Sequence, residues 1–352
     1  MKKCLIKTGR EYPVMVGSEL KKELIAYLKS ISFNGKIAVI SDSNVAGLYM
    51  GDFRRALTDA GLTVVTMEFP AGEESKTLKT YEIIIKFLLM NKMGRNDIVI
   101  ALGGGVTGDL TGFAAATYMR GIRYIMIPTT LLSMVDSSVG GKTAVDMPEG
   151  KNLVGTFYQP IAVFEDISYL NTLDEKIFMQ GMAEVIKTGI LKGKDLLNLI
   201  SDYLDERKSD TLEDIIFECV LTKGEYVSED EFDKGKRKML NLGHTIGHAV
   251  ESCSEYTFSH GEAVAIGLDR ITTLSENTEK MPHEEGNLIR NILSKTGLGL
   301  DIPDNISQDM LLDAISYDKK CDHDKIDIIV IRRIGDCSVK RVAIDDLKAY
   351  VR

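Results

Sequence analysis

The hydrophobic positions of residues 36–130 alternate between short β-branched runs and longer segments with helical spacing. Buried strands are predicted at Ile37–Ser41, Thr63–Phe69, Ile98–Leu102 and Tyr124–Pro128. The intervening segments, one ending near Ala60 and one covering Lys76–Lys92, have the apolar spacing of amphipathic helices. Strands that alternate with helices form a parallel sheet with both faces covered, so this pattern predicts an α/β domain.

The pattern changes near residue 173, where long amphipathic helices replace the alternation. Helices are predicted at Glu175–Lys192, Thr211–Ser228 and His244–Ser252, and strands are expected again only near Asp327–Arg332. An extra strand pair is predicted over residues 4–16. We therefore expect an α/β domain at 1–173 and a mostly helical domain at 174–352. A long Gly- and Lys-rich loop is expected from about Asp136 to Asp166, where a cleft would be expected.

Composition excludes several classes of function. The 352 residues carry 43 Lys and Arg against 52 Asp and Glu, a net charge of −9, which argues against a nucleic-acid or anionic-membrane partner. The five cysteines form no C-x-x-C pair, as expected of reduced thiols in a cytoplasmic protein. No segment approaches the roughly 18 apolar residues that a membrane span needs.

Three of the five histidines, His244, His248 and His260, lie within seventeen residues. The first two are four apart on a predicted helix, so both imidazoles share one face and can reach one cation. His260 follows from a nearby turn. A lone histidine more often packs or caps a helix, but this concentration predicts a metal site.

Glycines follow the predicted strand that ends at Leu102. Gly103-Gly104-Gly105-Val-Thr-Gly108 satisfies G-x-G-x-x-G, which lets the backbone approach a dinucleotide pyrophosphate at a helix N-terminus. However, the motif follows the third strand of the alternation, and no acidic residue lies about 20 positions on to hold a ribose. Asp42, at the tip of the first strand, is a different candidate for that role. The alternative interpretation is a tight turn that needs positive φ.

Two further segments carry candidate chemistry. Gly141-Lys142 and Gly150-Lys151-Asn152 combine ammonium groups with exposed amides, as phosphate sites do, although a solvated loop has the same composition. Glu184 and Lys187 lie three apart on a helix with few other polar positions. A surface ion pair is the common interpretation, but their apolar neighbours favour a buried pair, in which Glu184 is an oxygen ligand beside two histidines.

Together these motifs resemble the 3-dehydroquinate synthases of the sugar phosphate cyclase family. The matching segments occur in order along most of the chain: Gly103–Asp109, Ala116–Gly121, Ile127–Leu132, Val135–Thr143, Gly150–Asn152, Met182–Lys187, Asn241–His248 and His260–Glu262. The resemblance implies a Rossmann-like NAD-binding domain at 1–173, a metal- and substrate-binding domain at 174–352, and a homodimer.

The implied activity is that of a carbon–oxygen lyase of the shikimate pathway. It converts 3-deoxy-D-arabino-heptulosonate 7-phosphate to 3-dehydroquinate and phosphate. The steps are transient NAD-dependent oxidation at C5, phosphate elimination, re-reduction, ring opening and intramolecular aldol closure. NAD and Zn²⁺ (or Co²⁺) are the implied cofactors, and the partner is a phosphorylated sugar acid.

The resemblance also assigns roles to individual residues. The metal ligands are Glu184, His244 and His260, which differs from the pairing of His244 with His248 that spacing alone predicts. The substrate phosphate falls to Lys142, Asn152, His248, Arg120 from a second subunit, and Lys320, with Lys319 as the alternative. The carboxylate falls to Lys223, Arg237 and Asn241, and the reacting hydroxyls to Asp136, Lys151 and Lys187.

Catalytic roles fall to Asp136, Lys142, Lys187 and His248. The NAD contacts are Asp42, Asn44, Glu73, Lys76, Gly104, Gly105, Asp109, Thr129, Thr130, Asp136, Lys142, Lys151 and Thr172. The chain departs from the family pattern at Ser133-Met134, Asp146 and Thr188, and lacks the usual Gly after Lys320.

Two other enzyme classes remain as alternatives. A metal-dependent polyol or glycerol-phosphate dehydrogenase has a similar glycine turn and histidine helix, but needs no lysines for phosphate elimination. A sister cyclase would act on a sugar phosphate without a carboxylate, whereas Lys223 and Arg237 favour an acidic substrate.

Overall fold

The computed structural model describes residues 1–255, 257–316 and 325–351, together with the backbone of Cys321 and Asp322. The chain forms two compact units, Met1–Leu173 and Asp174–Arg352. Among the described residues no helix is long and apolar enough to cross a membrane. The cysteines whose side chains are described are all free thiols, as expected: Cys4, Cys219, Cys253 and Cys337.

The N-terminal unit is built on the predicted parallel sheet. Its strands are β1 (Lys2–Ile6), β2 (Tyr12–Gly17), β3 (Lys36–Asp42), β4 (Thr63–Phe69), β5 (Ile98–Gly103), β6 (Arg123–Pro128), β7 (Lys142–Met147), β8 (Gly150–Phe157) and β9 (Ala162–Asp166). Seven of them form one sheet in the order β1-β2-β9-β6-β5-β3-β4, while β7 and β8 form a separate hairpin. Only β1 runs antiparallel to its neighbour in the large sheet. The predicted α/β fold and N-terminal strand pair are confirmed.

Helices cover both faces of this sheet. They are α1 (Lys21–Ser30), α2 (Ser43–Val45), α3 (Gly51–Asp59), α4 (Leu78–Met90) and α5 (Gly105–Thr117). Short 3₁₀ or π turns lie at Ala46–Met50, Glu73–Ser75, Tyr118–Arg120, Ser133–Ser137 and Ile167–Thr172. Ile37 and Val39 of β3 share one core with Leu24 of α1 and Phe53 of α3. Neighbouring strand residues point to the opposite face, where α5 packs.

The long loop predicted from Asp136 to Asp166 is wrong. That segment contains the antiparallel hairpin of β7 and β8, with Val145 opposite Val154, and strand β9 of the large sheet. Glycines hid these strands, because Gly140 and Gly141 precede β7, Gly150 and Gly155 lie within β8, and glycine has low strand propensity. Gly155 is needed there, since a Cβ would overlap the carbonyl oxygen of Thr143 on the facing strand.

The C-terminal unit is mostly helical, as predicted. Its helices are α6 (Glu175–Lys192), α7 (Lys194–Glu206), α8 (Ser209–Glu229), α9 (His244–Cys253), α10 (His260–Thr278), α11 (His283–Lys295) and α12 (Gln308–Ser316), with 3₁₀ turns at Lys236–Asn241 and Ile344–Ala349. Its antiparallel strands are β10 (Cys321–Asp322), β11 (Lys325–Arg333) and β12 (Asp336–Ala343). The sequence predicted only β11, because β12 is half exposed and its apolar positions do not alternate.

Two glycines of α10 allow it to approach its neighbours closely. A Cβ at Gly261 would overlap the backbone carbonyl of Gln180 on α6, and one at Gly267 would overlap the carbonyl oxygen of Gly243, just before α9. Backbones come this close only where no side chain intervenes. The contacts lie beside His260 and His244, so they set the spacing of the helices that carry both histidines.

We expect Gly267→Ala to destabilise the protein, although alanine normally favours a helix by about 1 kcal/mol over glycine. The added methyl group must push α10 from Gly243, and overpacking of this kind costs about 1–3 kcal/mol. Thermal unfolding should show a lower Tm. Gly51→Ala is the matched control, because Gly51 is helical and has open space at its Cβ position. Equal Tm values for the two variants would contradict the close approach.

Candidate functional site

In the N-terminal unit, the glycine motif forms the turn between β5 and α5. Gly103 ends the strand, Gly104 is the N-cap, and α5 begins at Gly105. A Cβ at Gly104 would lie 3.2 Å from Thr130 Cγ2, and one at Gly105 would lie 3.3 Å from Ser137 Oγ. The turn is therefore bare backbone at the start of a 13-residue helix, whose amides and dipole favour an anion.

The sheet order explains why this motif follows the third strand of the alternation. Strand β3 lies between β4 and β5, and the connections that leave β3 and β5 pack on opposite faces. Ligands of open α/β sheets bind at such a switch point, outside the carboxyl ends of the strands. Asp42 ends β3 there, and its Oδ2 accepts a hydrogen bond from Thr107 Oγ1 of α5 at 3.1 Å. Asn44 lies beside it, donating its amide to Asp42 Oδ1 at 3.0 Å.

Three other predicted residues meet at Lys76. Its ammonium lies 2.6 Å from Asp109 Oδ2, 2.6 Å from Asn152 Oδ1 and 4.0 Å from Glu73 Oε1. Burial lowers the pKa of Lys76, but Asp109 and Glu73 outweigh it and raise that pKa overall. Burial raises the pKa of Glu73, against the opposing effect of Lys76. The Lys76 side chain is only 6% exposed, so it holds a charge away from water between two acidic groups.

The other predicted residues of this unit lie on turns and on the hairpin. Asp136 lies in the turn Ser133–Ser137, and Thr129 donates its amide to the carbonyl oxygen of Gly103 at 3.0 Å. Lys142 of the hairpin is exposed and Lys151 is half-buried. Arg120 is exposed and has a positive φ of 65°. The Thr172 hydroxyl hydrogen-bonds Tyr49 OH, in the turn that follows α2.

In the C-terminal unit, three helices bring the predicted metal ligands together. Glu184 comes from α6, His244 is the first residue of α9, and His260 is the first residue of α10, whose N-terminus is fixed by a Ser259–Glu262 capping box. Nε2 of His244 lies 3.3 Å from Glu184 Oε1, and Nε2 of His260 lies 3.0 Å from the same oxygen. One ligand atom from each residue lies within 4.8 Å of the others.

The hydrogen bonds of these histidines favour a cation at that point. His244 Nδ1 lies 3.1 Å from the carbonyl oxygen of Leu242, and His260 Nδ1 lies 3.3 Å from Glu251 Oε2. Both partners only accept hydrogen bonds, so both Nδ1 atoms carry the proton. Once each Nε2 is deprotonated, as metal binding requires, both Nε2 lone pairs are directed at the same Glu184 oxygen. Three electron-pair donors that converge in this way fit a divalent metal. Metal-binding histidines usually donate their other ring N–H to an acceptor, as these two do to Leu242 and Glu251.

The electrostatics of the cluster centre on Glu184, which is 1% exposed. Burial raises the pKa of Glu184, but Lys187 and His244 outweigh it and hold the pKa well below its usual range. Lys187, also buried as predicted, forms an ion pair with Glu184 Oε2. Burial and Lys187 lower the pKa of His244, which favours the neutral ring that a metal needs. Burial lowers the pKa of His260, but Glu184 and Glu251 outweigh it and raise the pKa to about 10.

His248 is not in the same ligand group as His244. Its ring centroid is 5.3 Å from that of His244 and 6.0 Å from that of His260, and its ring nitrogen groups with Glu251 and His260 instead. The i,i+4 pairing expected from spacing is therefore replaced by Glu184, which comes from a different helix. His248 remains beside the cluster as an exposed side chain.

The predicted carboxylate-binding residues lie on two elements that pack together, α8 and the turn Lys236–Asn241. Lys223 and Arg237 are both buried. Arg237 donates from Nη1 to the carbonyl oxygen of Glu231 at 2.7 Å, and Asn241 ends the same turn. Two buried cations on adjacent elements fit an acidic ligand. Lys319 and Lys320 lie outside the described residues.

Two residues with evident roles were missed from the sequence. Thr107 lies in α5, after the strand that neighbours β3 in the sheet, and donates a hydrogen bond to Asp42. Nothing in the local sequence of Thr107 indicates this contact. Glu251 lies seven positions after His244 on α9, so helical spacing places it on the histidine face. That spacing was available in the sequence as a signal.

Comparison with known proteins gives matches over both units. The family of the 3-dehydroquinate synthase N-terminal domain matches residues 66–180, and that of the C-terminal domain matches residues 181–321. A 3-dehydroquinate synthase of Clostridium kluyveri is 41% identical over 97% of this chain and 96% of its own length. One from Streptococcus thermophilus is 40% identical over 97% and 96%. Among solved structures, 2-deoxy-scyllo-inosose synthase complexed with carbaglucose-6-phosphate, NAD⁺ and Co²⁺ has a TM-score of 0.89 and 28% identity, covering 100% of this chain and 99% of that one.

We expect Glu251→Gln to weaken metal binding, because it removes the charge that holds the Nδ1 proton of His260. Loss of such a partner typically lowers metal affinity by about 10- to 100-fold. Competition for Zn²⁺ against a chromophoric chelator measures the Kd without reference to activity. Glu284→Gln, at an exposed glutamate of α11, is the control. An unchanged Kd in the Glu251 variant would exclude this role.

Proposed function

Because the chain belongs to the 3-dehydroquinate synthase family, we propose that it converts 3-deoxy-D-arabino-heptulosonate 7-phosphate to 3-dehydroquinate and phosphate. The observation that carries the proposal is the buried Glu184, with Nε2 of His244 and His260 directed at one of its oxygens. A dehydrogenase with this fold also needs a metal and a dinucleotide. The buried cations Lys187, which pairs with Glu184, and Lys223 and Arg237 on adjacent elements favour a charged substrate that undergoes elimination.

The proposed cofactors are NAD and a divalent metal, zinc or cobalt. NAD would lie at the turn Gly104–Gly105, with Asp42, Asn44, Glu73, Lys76, Asp109, Thr129, Thr130, Asp136, Lys142, Lys151 and Thr172. It supplies a hydride acceptor that returns the hydride, so no net oxidation occurs. The metal would bind Glu184, His244 and His260 and supply a Lewis acid for substrate hydroxyls. The bare backbone of the turn and the converging nitrogen atoms fit these two groups.

The protein's own residues would hold both charged ends of the substrate. Lys223, Arg237 and Asn241 bind the carboxylate, for which the planar guanidinium offers paired donors. The family resemblance assigns the phosphate to Lys142, Asn152, His248 and Lys320 or Lys319, with Arg120 from a second subunit. Fixing both ends limits how the ring can turn, which places the reacting carbon atoms in one orientation.

Proton movement would involve the groups around the reacting hydroxyls. The family resemblance assigns Asp136, Lys151 and Lys187 to these hydroxyls, and Lys187 forms an ion pair with Glu184. The substrate's own phosphate removes the proton at C6, while Lys142 and His248 hold that phosphate and stabilise its charge as it leaves. After phosphate has left and the C5 ketone has been reduced back to the alcohol, the resulting enol ether opens and closes by an intramolecular aldol step.

A sister cyclase activity is the second candidate, because 2-deoxy-scyllo-inosose synthase shares the fold at 28% identity. A substrate such as glucose 6-phosphate has no carboxylate. Lys223 and Arg237, the buried cations that the resemblance assigns to a substrate carboxylate, would then have no carboxylate to bind. An acidic substrate therefore accounts for Lys223 and Arg237, whereas glucose 6-phosphate does not.

The first test measures phosphate release from 3-deoxy-D-arabino-heptulosonate 7-phosphate by protein supplied with NAD and Zn²⁺, while NADH absorbance is monitored. We expect equal amounts of phosphate and 3-dehydroquinate, no accumulating NADH, and loss of activity on chelation that Zn²⁺ or Co²⁺ reverses. Glucose 6-phosphate, sedoheptulose 7-phosphate and glycerol are tested in parallel. Turnover of either sugar phosphate alone would indicate a sister cyclase, and NADH accumulation on glycerol a dehydrogenase.

A second test addresses the homodimer and the role of Arg120 in the neighbouring site. Arg120→Ala and His244→Ala should each be inactive alone. If Arg120 acts in the partner's site, a mixed dimer has one site with both changes and one with neither. Random mixing should then restore about one quarter of the wild-type activity. A Glu184→Ala and His244→Ala mixture is the control and should stay inactive. No recovery in the first mixture would place Arg120 in its own subunit's site.

A further inference from the structure

Lys76 connects α5, the helix that follows the turn Gly104–Gly105, to the hairpin of β7 and β8 through one buried ammonium group. Its Nζ lies 2.6 Å from Asp109 Oδ2 on α5 and 2.6 Å from Asn152 Oδ1 on β8. The backbone makes a second connection to the hairpin. The carbonyl oxygen of Lys76 accepts a hydrogen bond from the amide of Asp146 at 2.7 Å, and Thr77 forms a β-bridge with Asp146. Residues 76 and 77 are thus tied to the hairpin by side chain and backbone together.

This contact fixes the orientation of the Asn152 amide. An ammonium group only donates hydrogen bonds, so the atom of Asn152 that faces Lys76 must be its oxygen. The amide nitrogen Nδ2 therefore points the other way. In the part of the chain that the structure describes, no residue accepts a hydrogen bond from Nδ2, and Asn152 is exposed. Two N–H donors are therefore presented to solvent.

The backbone of Asn152 is held by a second residue. Its φ is +56°, a left-handed conformation that asparagine tolerates better than most residues. Its amide donates to Asp146 Oδ1 at 2.7 Å, which closes the turn between β7 and β8. The family resemblance places Asn more often than Asp at position 146, and either side chain offers the same oxygen acceptor.

We propose that Lys76 and Asp146 are positioning residues that present the Asn152 Nδ2 donors to the substrate phosphate. This inference rests on the proposed function, in which Asn152 binds that phosphate, and it adds how the side chain is oriented. Lys76 selects which end of the amide faces outward, and Asp146 fixes the backbone from which the amide extends. The same ammonium contacts Asp109, so it aligns the hairpin with the dinucleotide turn.

The role of Asp146 predicts different outcomes for two substitutions. Asp146→Ala removes the acceptor, so the KM should rise by roughly tenfold with kcat within about twofold. Asp146→Asn keeps the acceptor and removes a negative charge near the phosphate, so its KM should not exceed the wild-type value. If the negative charge of Asp146 mattered instead of its acceptor oxygen, Asp146→Ala and Asp146→Asn would change the KM equally. The Kd for Zn²⁺ should stay unchanged in both, since the metal ligands lie in the other unit.

A double-mutant cycle tests whether Asp146 acts through Asn152. If it does, Asp146→Ala should add little to the KM of Asn152→Ala, because the positioned group is already absent. Additive effects would overturn the proposal, as would a wild-type KM for Asp146→Ala. Asn152→Asp tests the orientation without risk to folding, since a carboxylate keeps the contact with Lys76. It should raise the KM more than Asn152→Ala does, by repelling phosphate, and a wild-type KM would refute the proposal.

The same variants are compared in binding of inorganic phosphate to protein loaded with NAD and Zn²⁺. This measurement separates the inference from the proposed function. If the wild-type protein fails to turn over the substrate but Asp146→Ala still weakens phosphate binding while Asp146→Asn does not, the proposed reaction fails and the positioning role stands. If turnover is normal and Asp146→Ala and Asp146→Asn bind phosphate with the same affinity as each other, the proposed reaction stands and the positioning role fails.

Discussion

A carboxylate with almost no exposed surface must be compensated by positive charge, and Glu184 imposes this requirement on the C-terminal unit. Lys187 compensates one oxygen, and two imidazoles from other helices approach the second. Removing one partner from such a cluster leaves a buried charge, which is strongly destabilising. The same requirement makes the cluster a good metal site, because a divalent cation would supply the positive charge that the buried carboxylate needs.

The arrangement around Glu184 depends on how closely the helices can pack. Gly261 follows His260 and contacts the carbonyl of Gln180, one helical turn before Glu184 on α6. Gly267 contacts Gly243, which precedes His244. Glycines next to both histidines thus set the distances between ligands that come from three helices. The ligands and the close contacts between helices are parts of one packing arrangement.

The N-terminal unit handles charge in a different way. Its parallel strands place Asp42 and the glycine turn side by side, because β3 and β5 are neighbours in the sheet although β4 lies between them in sequence. Lys76 is then buried between Asp109 and Asn152. A dinucleotide bound as proposed would therefore need no acidic residue about 20 positions after the glycines, since the sheet brings Asp42 from an adjacent strand.

The sequence by itself determined the element types, the α/β and helical halves, and the residue classes of the site, because hydrophobic spacing and glycine placement act locally. It failed for β7 and β8, because Gly140 and Gly141 precede β7 and β8 itself contains Gly150 and Gly155. Only the tertiary structure decided that one oxygen of Glu184 faces both His244 and His260, that Glu251 lies beside His260, and that Lys76 binds Asn152. These contacts join residues on different elements, and their geometry is set by strand order and helix packing, which no local pattern encodes.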